Sequence, residues 1–234
     1  MKRQFDPAVL EMMDRPQPVS PALERDLQNI RGFNRYFGSY WLIQKFIRRW
    51  IKSGGQMRVV DLATGSGDIP RLIVDHAREI DAKVKIDALD QQAATLEIAQ
   101  KLSADYPEIS YIEANILEWE PEEPYDIVLC SLALHHFSDR DAVRVLRRCR
   151  DFSRKFVLVS DLHRGLLPTV GVYLLTALVF REPMTRHDAR VSMVRAFSSE
   201  EMTRLAQQAG WPNFRHANFL FARQGIWLEK VSAA

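Results

Sequence analysis

The chain has 234 residues, of which 47% are hydrophobic and 26% charged, and its formal net charge is +2. These fractions are typical of a soluble globular protein with one substantial core, and the small net charge argues against nucleic acid as a partner. Cys130 and Cys149 are too few for a disulfide framework and lack metal-ligand spacing. With no apolar signal segment, and with its longest uncharged run (165–180) shorter than a membrane span, the chain is expected to be cytoplasmic.

The first 52 residues are predicted to form an N-terminal arm and a helical cap. Residues 1–20 are polar and contain three prolines, which disfavours long helices. From Pro21 to about Lys52, apolar residues recur at helical spacing, and Gly38 with Ser39 predicts a break into two helices.

Residues 53–234 are predicted to form the core domain, beginning with an alternation of strands and helices. The predicted strands are 57–61, 84–89, 109–113, 125–130 and 155–160, and the predicted helices between them are 69–80, 91–104 and 139–151. Strands separated by helices indicate a parallel sheet, and right-handed crossovers bring the carboxyl ends of all its strands to one edge. Ligands of doubly wound folds bind at that edge.

The alternation stops at residue 160. Residues 161–197 are too long and too apolar for an ordinary connection, so we predict a helical lid inserted after strand 5. It consists of a helix over 166–180 and a polar stretch over 181–195. Ser198 then caps a helix that ends at Gly210, and 214–221 with 225–231 form a terminal antiparallel hairpin around residues 222–224. The predicted fold class is α/β, with a Rossmann-like, seven-stranded, mostly parallel sheet.

The turn after the first strand carries the strongest functional signal: Asp61-Leu62-Ala63-Thr64-Gly65-Ser66-Gly67-Asp68. Glycines let a backbone approach a ligand closely. Two carboxylates would repel the pyrophosphate of a dinucleotide, but they suit a ligand with an ammonium and a sulfonium group. The turn resembles motif I of the class I S-adenosylmethionine (SAM) methyltransferases, Asp/Glu-x-Gly-x-Gly-x-Gly, with Ala63 in place of the first glycine. It is most similar to the quinone-biosynthesis branch of that superfamily.

The resemblance implies SAM as cofactor and S-adenosylhomocysteine (SAH) as product. Asp90 ends the second strand, 23 residues after Gly67, where a carboxylate can accept both ribose hydroxyls. Asn115 stands where the family often has an Asp for the adenine amino group. The candidate cofactor residues are Asp61, Ala63, Thr64, Gly65, Gly67, Asp68, Asp90, Gln91, Gln92, Asn115, Ile116 and Ser131.

Three histidines are candidate catalytic residues. His135 and His136 follow the fourth strand, in a stretch that resembles the superfamily's motif near the transferred methyl group, and His187 lies in the lid. A neutral imidazole can accept the proton of a hydroxyl nucleophile. Paired histidines also occur there in members with different substrates, so a structural role for one of them remains open.

The acceptor is predicted to be small and lipophilic. The stretch from Arg195 to Phe197 resembles methyltransferases that accompany type III polyketide synthases and act on phenolic lipids. The apolar run 166–180 fits a cover over such a substrate, a subunit interface, a membrane-surface contact or plain core packing. The candidate substrate residues are Phe33, Phe37, Trp41, His163, Tyr173, Arg186 and Arg195.

The sequence therefore predicts methyl transfer from SAM to the hydroxyl of a phenol, quinol or polyketide, by a monomer or a homodimer. Alternatives are C- or N-methylation, non-methylating SAM chemistry in the same fold, and a SAM-binding module without turnover. A nicotinamide oxidoreductase is disfavoured by the acidic turn, and an RNA methyltransferase by the near-neutral charge. No cluster of metal ligands is visible in the sequence, so metal-assisted chemistry is also disfavoured.

Overall fold

The computed structural model describes residues 2–178 and 182–230. The predicted helix end at Phe180, the start of the polar stretch at Arg181 and the predicted strand end at Val231 lie outside the described residues. No helix among the described residues is long and apolar enough to cross a membrane.

The N-terminal part consists of an arm and two helices, as the sequence predicts. Residues 2–20 contain turns and bends without a helix. The hydroxyl of Ser20 accepts a hydrogen bond from the backbone N–H of Leu23 and caps helix α1, Pro21–Tyr36. Gly38, with φ of +85°, separates α1 from helix α2, Ser39–Trp50.

Seven strands of the described residues form one sheet, in the order β3-β2-β1-β4-β5-β7-β6. The strands are β1 Gln56–Leu62, β2 Lys83–Asp90, β3 Ile109–Glu113, β4 Tyr125–Ser131, β5 Ser153–Leu162, β6 Arg215–Phe219 and β7 Arg223–Glu229. The first five strands pair in parallel, and β7 is antiparallel to both β5 and β6. The predicted Rossmann-like sheet with a terminal hairpin is confirmed.

Helices cover both faces of the sheet. They are α3 Asp68–Glu79, α4 Ala93–Leu102, α5 Asp139–Phe152, α6 Leu166–Leu178, α7 Pro183–Arg195 and α8 Ser199–Gln208. One core joins α5 and α8 to one face of the sheet, and the other joins α2 and α3 to the opposite face. Because parallel strands are buried on both faces, β4 is apolar at nearly every position.

One prediction about local structure was incomplete, and another was wrong. The predicted polar stretch contains helix α7, in which the polar side chains of Thr185, Asp188 and Ser192 are buried against other elements. Arg223 and Gln224 were assigned to the hairpin turn but belong to β7. Gln224 is fully buried, and its side-chain amide donates to the backbone carbonyls of neighbouring segments. These contacts come from distant parts of the chain and leave no local pattern.

Helix α6 presents several large apolar side chains to solvent. Its most exposed members are Leu166, Leu167 and Leu174, each more than half exposed. The helix packs mainly on α7. Helix α6 therefore forms the outer, solvent-facing part of the lid.

Candidate functional site

The turn between β1 and α3 has an unusual backbone. Ala63, Gly65 and Gly67 all have positive φ, of 60°, 56° and 70°. A Cβ on Gly67 would lie 2.3 Å from the Tyr111 hydroxyl oxygen, so this position excludes any side chain. A Cβ on Gly65 would meet nothing within 4 Å, because Gly65 faces open space.

Buried carboxylates surround this turn. Asp61 accepts a hydrogen bond from the Thr64 hydroxyl at 2.7 Å through Oδ2, and its Oδ1 has no hydrogen-bond partner within the described part of the chain. Burial raises the pKa of Asp61 to about 7. Asp90 accepts from the backbone N–H groups of Gly65 at 2.8 Å and Gln92 at 3.0 Å, and burial raises its pKa as well.

A cavity of about 460 Å³ lies beyond the carboxyl ends of β1, β2 and β4. Its polar end is formed by the β1–α3 turn and the end of β2. Leu27, Ile30 and Phe33 from α1 and Met193 from α7 add apolar surface to its lining. The predicted site residues that line it are Asp61, Ala63, Thr64, Gly65, Asp68, Asp90, Gln91, Gln92, Ile116, Ser131, His135, His136, Phe33 and Arg195.

Several predicted site residues do not line this cavity: Gly67, Asn115, Phe37, Trp41, His163, Tyr173, Arg186 and His187. Asn115 uses its side-chain oxygen to accept from the backbone N–H of Leu117 at 2.9 Å. Trp41 is 54% exposed and packs edge-on against Phe219. The half-exposed ring of His187 bonds to Asp188, and it is Asp188 that lines the cavity.

His135 and His136 lie side by side in a single 3₁₀ turn, Leu134–His136, after β4. Nδ1 of His135 is 2.6 Å from Oδ1 of Asp161, a buried carboxylate in β5. Burial opposes the positive charge on His135, but Asp161 and then Glu11 outweigh it and raise its pKa to about 10. Nδ1 of His136 is 2.7 Å from Oδ2 of Asp14.

The N-terminal arm contacts α7 and the histidine pair and covers this part of the site. Glu11 is buried and accepts from the Ser192 hydroxyl at 2.7 Å. Burial alone would raise the pKa of Glu11, but His136 and His135 lower it to about 2. Asp188 accepts from the backbone N–H groups of Met12 at 2.7 Å and Met13 at 3.0 Å. The guanidinium of Arg3 donates to the backbone carbonyls of Arg195, His135 and Phe137.

Four residues that line the cavity carry buried polar atoms without a hydrogen-bond partner among the described residues. These atoms are Asp26 Oδ2, Asn34 Oδ1, Asp61 Oδ1 and His135 Nε2. An unpartnered buried polar group costs about 1–3 kcal/mol. Their presence around one cavity indicates that it receives a polar ligand, and the excess of carboxylates at the β1–α3 turn fits a cationic one.

Residues 59–155 match a family model described as a methyltransferase domain. This segment contains the carboxyl-terminal half of β1, the acidic turn, Asp90 and the histidine pair. The similarity to a methyltransferase domain is therefore carried by these residues, which are about two fifths of the chain.

One sequence relative is also named a methyltransferase. A demethylmenaquinone methyltransferase from Thermotoga maritima is 37% identical over 93 residues, which cover 40% of this chain and 37% of that protein. This chain therefore spans about two fifths of the curated relative that it matches.

Two solved methyltransferase structures share the fold. A plantazolicin methyltransferase in complex with SAH has a TM-score of 0.64 at 10% identity, covering 90% of this chain and 95% of that one. Human N-acetylserotonin methyltransferase in complex with SAM also has a TM-score of 0.64, at 15% identity, covering 89% of this chain and 55% of that one.

Sequence reasoning about the methyltransferase domain missed the residues that approach from outside it. Glu11, Asp14, Asn34 and Asp188 all line the cavity, and none was among the candidates. The hydrogen bond between Asp14 and His136 joins residues 122 positions apart. The one available signal was the presence of isolated acids within otherwise apolar stretches of the arm, such as Leu10-Glu11-Met12-Met13-Asp14.

Proposed function

We propose that this protein transfers a methyl group from SAM to the hydroxyl of a small lipophilic acceptor. SAM supplies an electrophilic methyl group on a positively charged sulfur. The main supporting observation is that the acidic turn and the apolar side chains of α1 and α7 line one and the same cavity. In such a displacement, catalysis consists mostly of alignment and exclusion of water.

The polar end of the cavity is assigned to the cofactor. Asp90 retains acceptor lone pairs beyond those used by Gly65 and Gln92, and these can receive ribose hydroxyls. The unpartnered Oδ1 of Asp61 offers a partner for an ammonium group. Ile116 is buried at the same end, beside Leu89, and provides an apolar surface for a base.

The other end is assigned to the acceptor. Leu27, Ile30 and Phe33 provide an apolar wall, and the two histidines supply the polar atoms beside it. The carboxylates of Asp161 and Asp14 hold the Nδ1 atoms of His135 and His136, so the Nε2 atoms are the ring atoms that face an acceptor hydroxyl. Because the pKa of His135 is raised to about 10, its Nε2 is protonated at neutral pH and donates a hydrogen bond to the acceptor oxygen. The arm and α7 exclude water from the reacting atoms.

Isothermal titration with SAM and SAH tests the cofactor assignment. Asp90→Asn keeps the size of the side chain and removes the charge, so SAM affinity is expected to fall about 10- to 100-fold, as for a hydrogen bond to a charged group. Asp87→Asn is the matched control, since Asp87 stands on the same strand but bonds Tyr125 outside the cavity. Equal SAM affinity in wild type and Asp90→Asn refutes the assignment.

Product analysis tests the acceptor. Alkyl phenols, quinols and aromatic polyketides are incubated with methyl-labelled SAM, and the expected product carries one additional O-methyl group. The relative from Thermotoga maritima is named a demethylmenaquinone methyltransferase, which supports a quinol as one of the acceptors to test. Methylation of a ring carbon is the second candidate. A quinol can accept a methyl group on a hydroxyl oxygen or on a ring carbon. The NMR chemical shift of the labelled methyl group distinguishes the two products.

A further inference from the structure

Three side chains from two distant segments converge at the acceptor end of the cavity. Nε2 of His135 lies 3.7 Å from Oε1 of Glu11, and Nε2 of His136 lies 3.9 Å from the same oxygen. One ligand atom from each of these residues lies within 4.8 Å of the others. All three side chains line the cavity. We name this group the Glu11–histidine cluster.

The separations within the cluster are too long for hydrogen bonds and close to those around a metal ion. Nitrogen and oxygen ligands at ~2.0–2.1 Å from a tetrahedral zinc ion lie roughly 3.3 Å from one another. A contraction of about half an ångström would bring Glu11 Oε1 to that distance from either imidazole nitrogen. Glu11 lies in the N-terminal arm, outside the strands of the sheet.

The surroundings of the cluster match those of a metal site. In metal sites, ligating histidines almost always donate their second ring N–H to a carboxylate or carbonyl, which fixes the tautomer and directs the lone pair at the metal. Here Asp161 and Asp14 occupy that role, at 2.6 Å and 2.7 Å from the Nδ1 atoms of His135 and His136. Two separate carboxylates, from β5 and from the arm, thus orient two adjacent imidazoles towards one point.

His135 provides an independent indication. Its ring is 2% exposed, and its Nε2 has no hydrogen-bond partner among the described residues. The carboxylate of Glu11 faces this nitrogen but stays beyond hydrogen-bonding distance. A buried ring nitrogen and a buried carboxylate that face the same gap are both satisfied by a metal cation between them, which replaces the proton on that nitrogen.

We propose that Glu11, His135 and His136 bind one divalent transition-metal ion of the zinc type. Two imidazoles and one carboxylate form the ligand set of hydrolytic zinc sites and leave a coordination position open. The nitrogen ligands disfavour magnesium and calcium, which prefer oxygen. The open position is available to an acceptor hydroxyl, whose pKa a metal ion lowers. That last role rests on the proposed methyl transfer, whereas metal binding does not.

Metal titration of the untagged full-length chain tests the site. Zinc is titrated against a fluorescent chelator, and one ion per chain is expected to bind. Glu11→Gln and His136→Gln are each expected to weaken zinc binding by more than about tenfold, and Asp14→Asn by about 10- to 100-fold. His216→Gln is the matched control, because His216 bonds Gln224 outside the cavity, and its zinc affinity should equal that of wild type.

Cobalt(II) provides a readout that does not depend on the variants folding. Wild type loaded with cobalt is expected to show the intense visible bands of a four- or five-coordinate ion with nitrogen ligands. Absence of zinc binding and of these bands in folded wild type overturns the proposal and leaves the cluster as an ion network that pins the arm. Undiminished zinc affinity in both ligand variants also overturns it. SAM titration without metal reports separately on the proposed function.

Discussion

Replacing Gly67 by alanine tests the account of the β1–α3 turn. Gly67 has φ of +70°, and a Cβ there would lie 2.3 Å from the Tyr111 hydroxyl oxygen. An L-residue in the left-handed region costs about 1–2 kcal/mol, and overpacking a tight site costs about 1–3 kcal/mol. Gly67→Ala is therefore expected to lower the free energy of unfolding by about 2–5 kcal/mol. For a chain of this size this corresponds to a Tm lower by about 4–20 °C.

Gly54→Ala separates the two contributions to that loss. Gly54 has φ of +68°, nearly the value at Gly67, but a Cβ there would meet nothing within 4 Å. This variant should lose the backbone contribution alone, about 1–2 kcal/mol. Both are measured by thermal and urea unfolding followed by circular dichroism. If Gly67→Ala is no more destabilising than Gly54→Ala, the steric account of the turn is wrong.

A second substitution at Tyr111 identifies the clashing atom. Tyr111→Phe removes the hydroxyl oxygen but leaves ring carbons 3.2 Å from the added Cβ, so Gly67→Ala should be partly rescued in the double variant. Tyr111→Phe alone loses the 2.6 Å bond to Ser103, which is worth about 1 kcal/mol. A double-mutant cycle of urea unfolding measures the coupling. Strict additivity of the two substitutions would show that the hydroxyl does not restrict Gly67.

Three further predictions concern other parts of the molecule. Ala63 has φ of 60°, so Ala63→Gly is expected to raise the free energy of unfolding by about 1 kcal/mol, and a lower Tm would contradict this. Burial raises the pKa of Asp26 from 3.8 to about 7, so its contribution to stability is complete below pH 4 and is lost as pH rises towards 7. The stability of Asp26→Asn relative to wild type, measured by urea unfolding, should therefore increase between pH 4 and pH 8, and a constant difference would refute the burial argument. Arg3 holds the arm through three backbone carbonyls, so Arg3→Ala should speed proteolysis of residues 2–20, whereas Lys2→Ala, an exposed neighbour, should not.

The sequence by itself determined the fold and the polar end of the cavity. The alternation of apolar runs with helical segments predicts the parallel order of β1 to β5, because periodicity is a property of neighbouring residues. The acidic Gly-rich turn and Asp90 lie at fixed offsets along one βαβ unit, so their meeting at the sheet edge follows from the topology. Ala63 could be placed in the turn, although its positive φ is visible only in the structure.

Only the tertiary structure shows which residues form the acceptor end of the cavity. Glu11 and Asp14 contact the histidine pair although more than 120 residues separate them in sequence. The arm has no regular apolar pattern, so local sequence does not show which of its residues will contact the site. The lid shows the same limit, since His187 and Asp188 are adjacent in sequence and only Asp188 lines the cavity. Helix α7 buries polar side chains through bonds to the arm and α1, so its sequence carries no clear apolar stripe. Contacts between distant segments depend on how the completed elements pack, and local sequence does not contain that information.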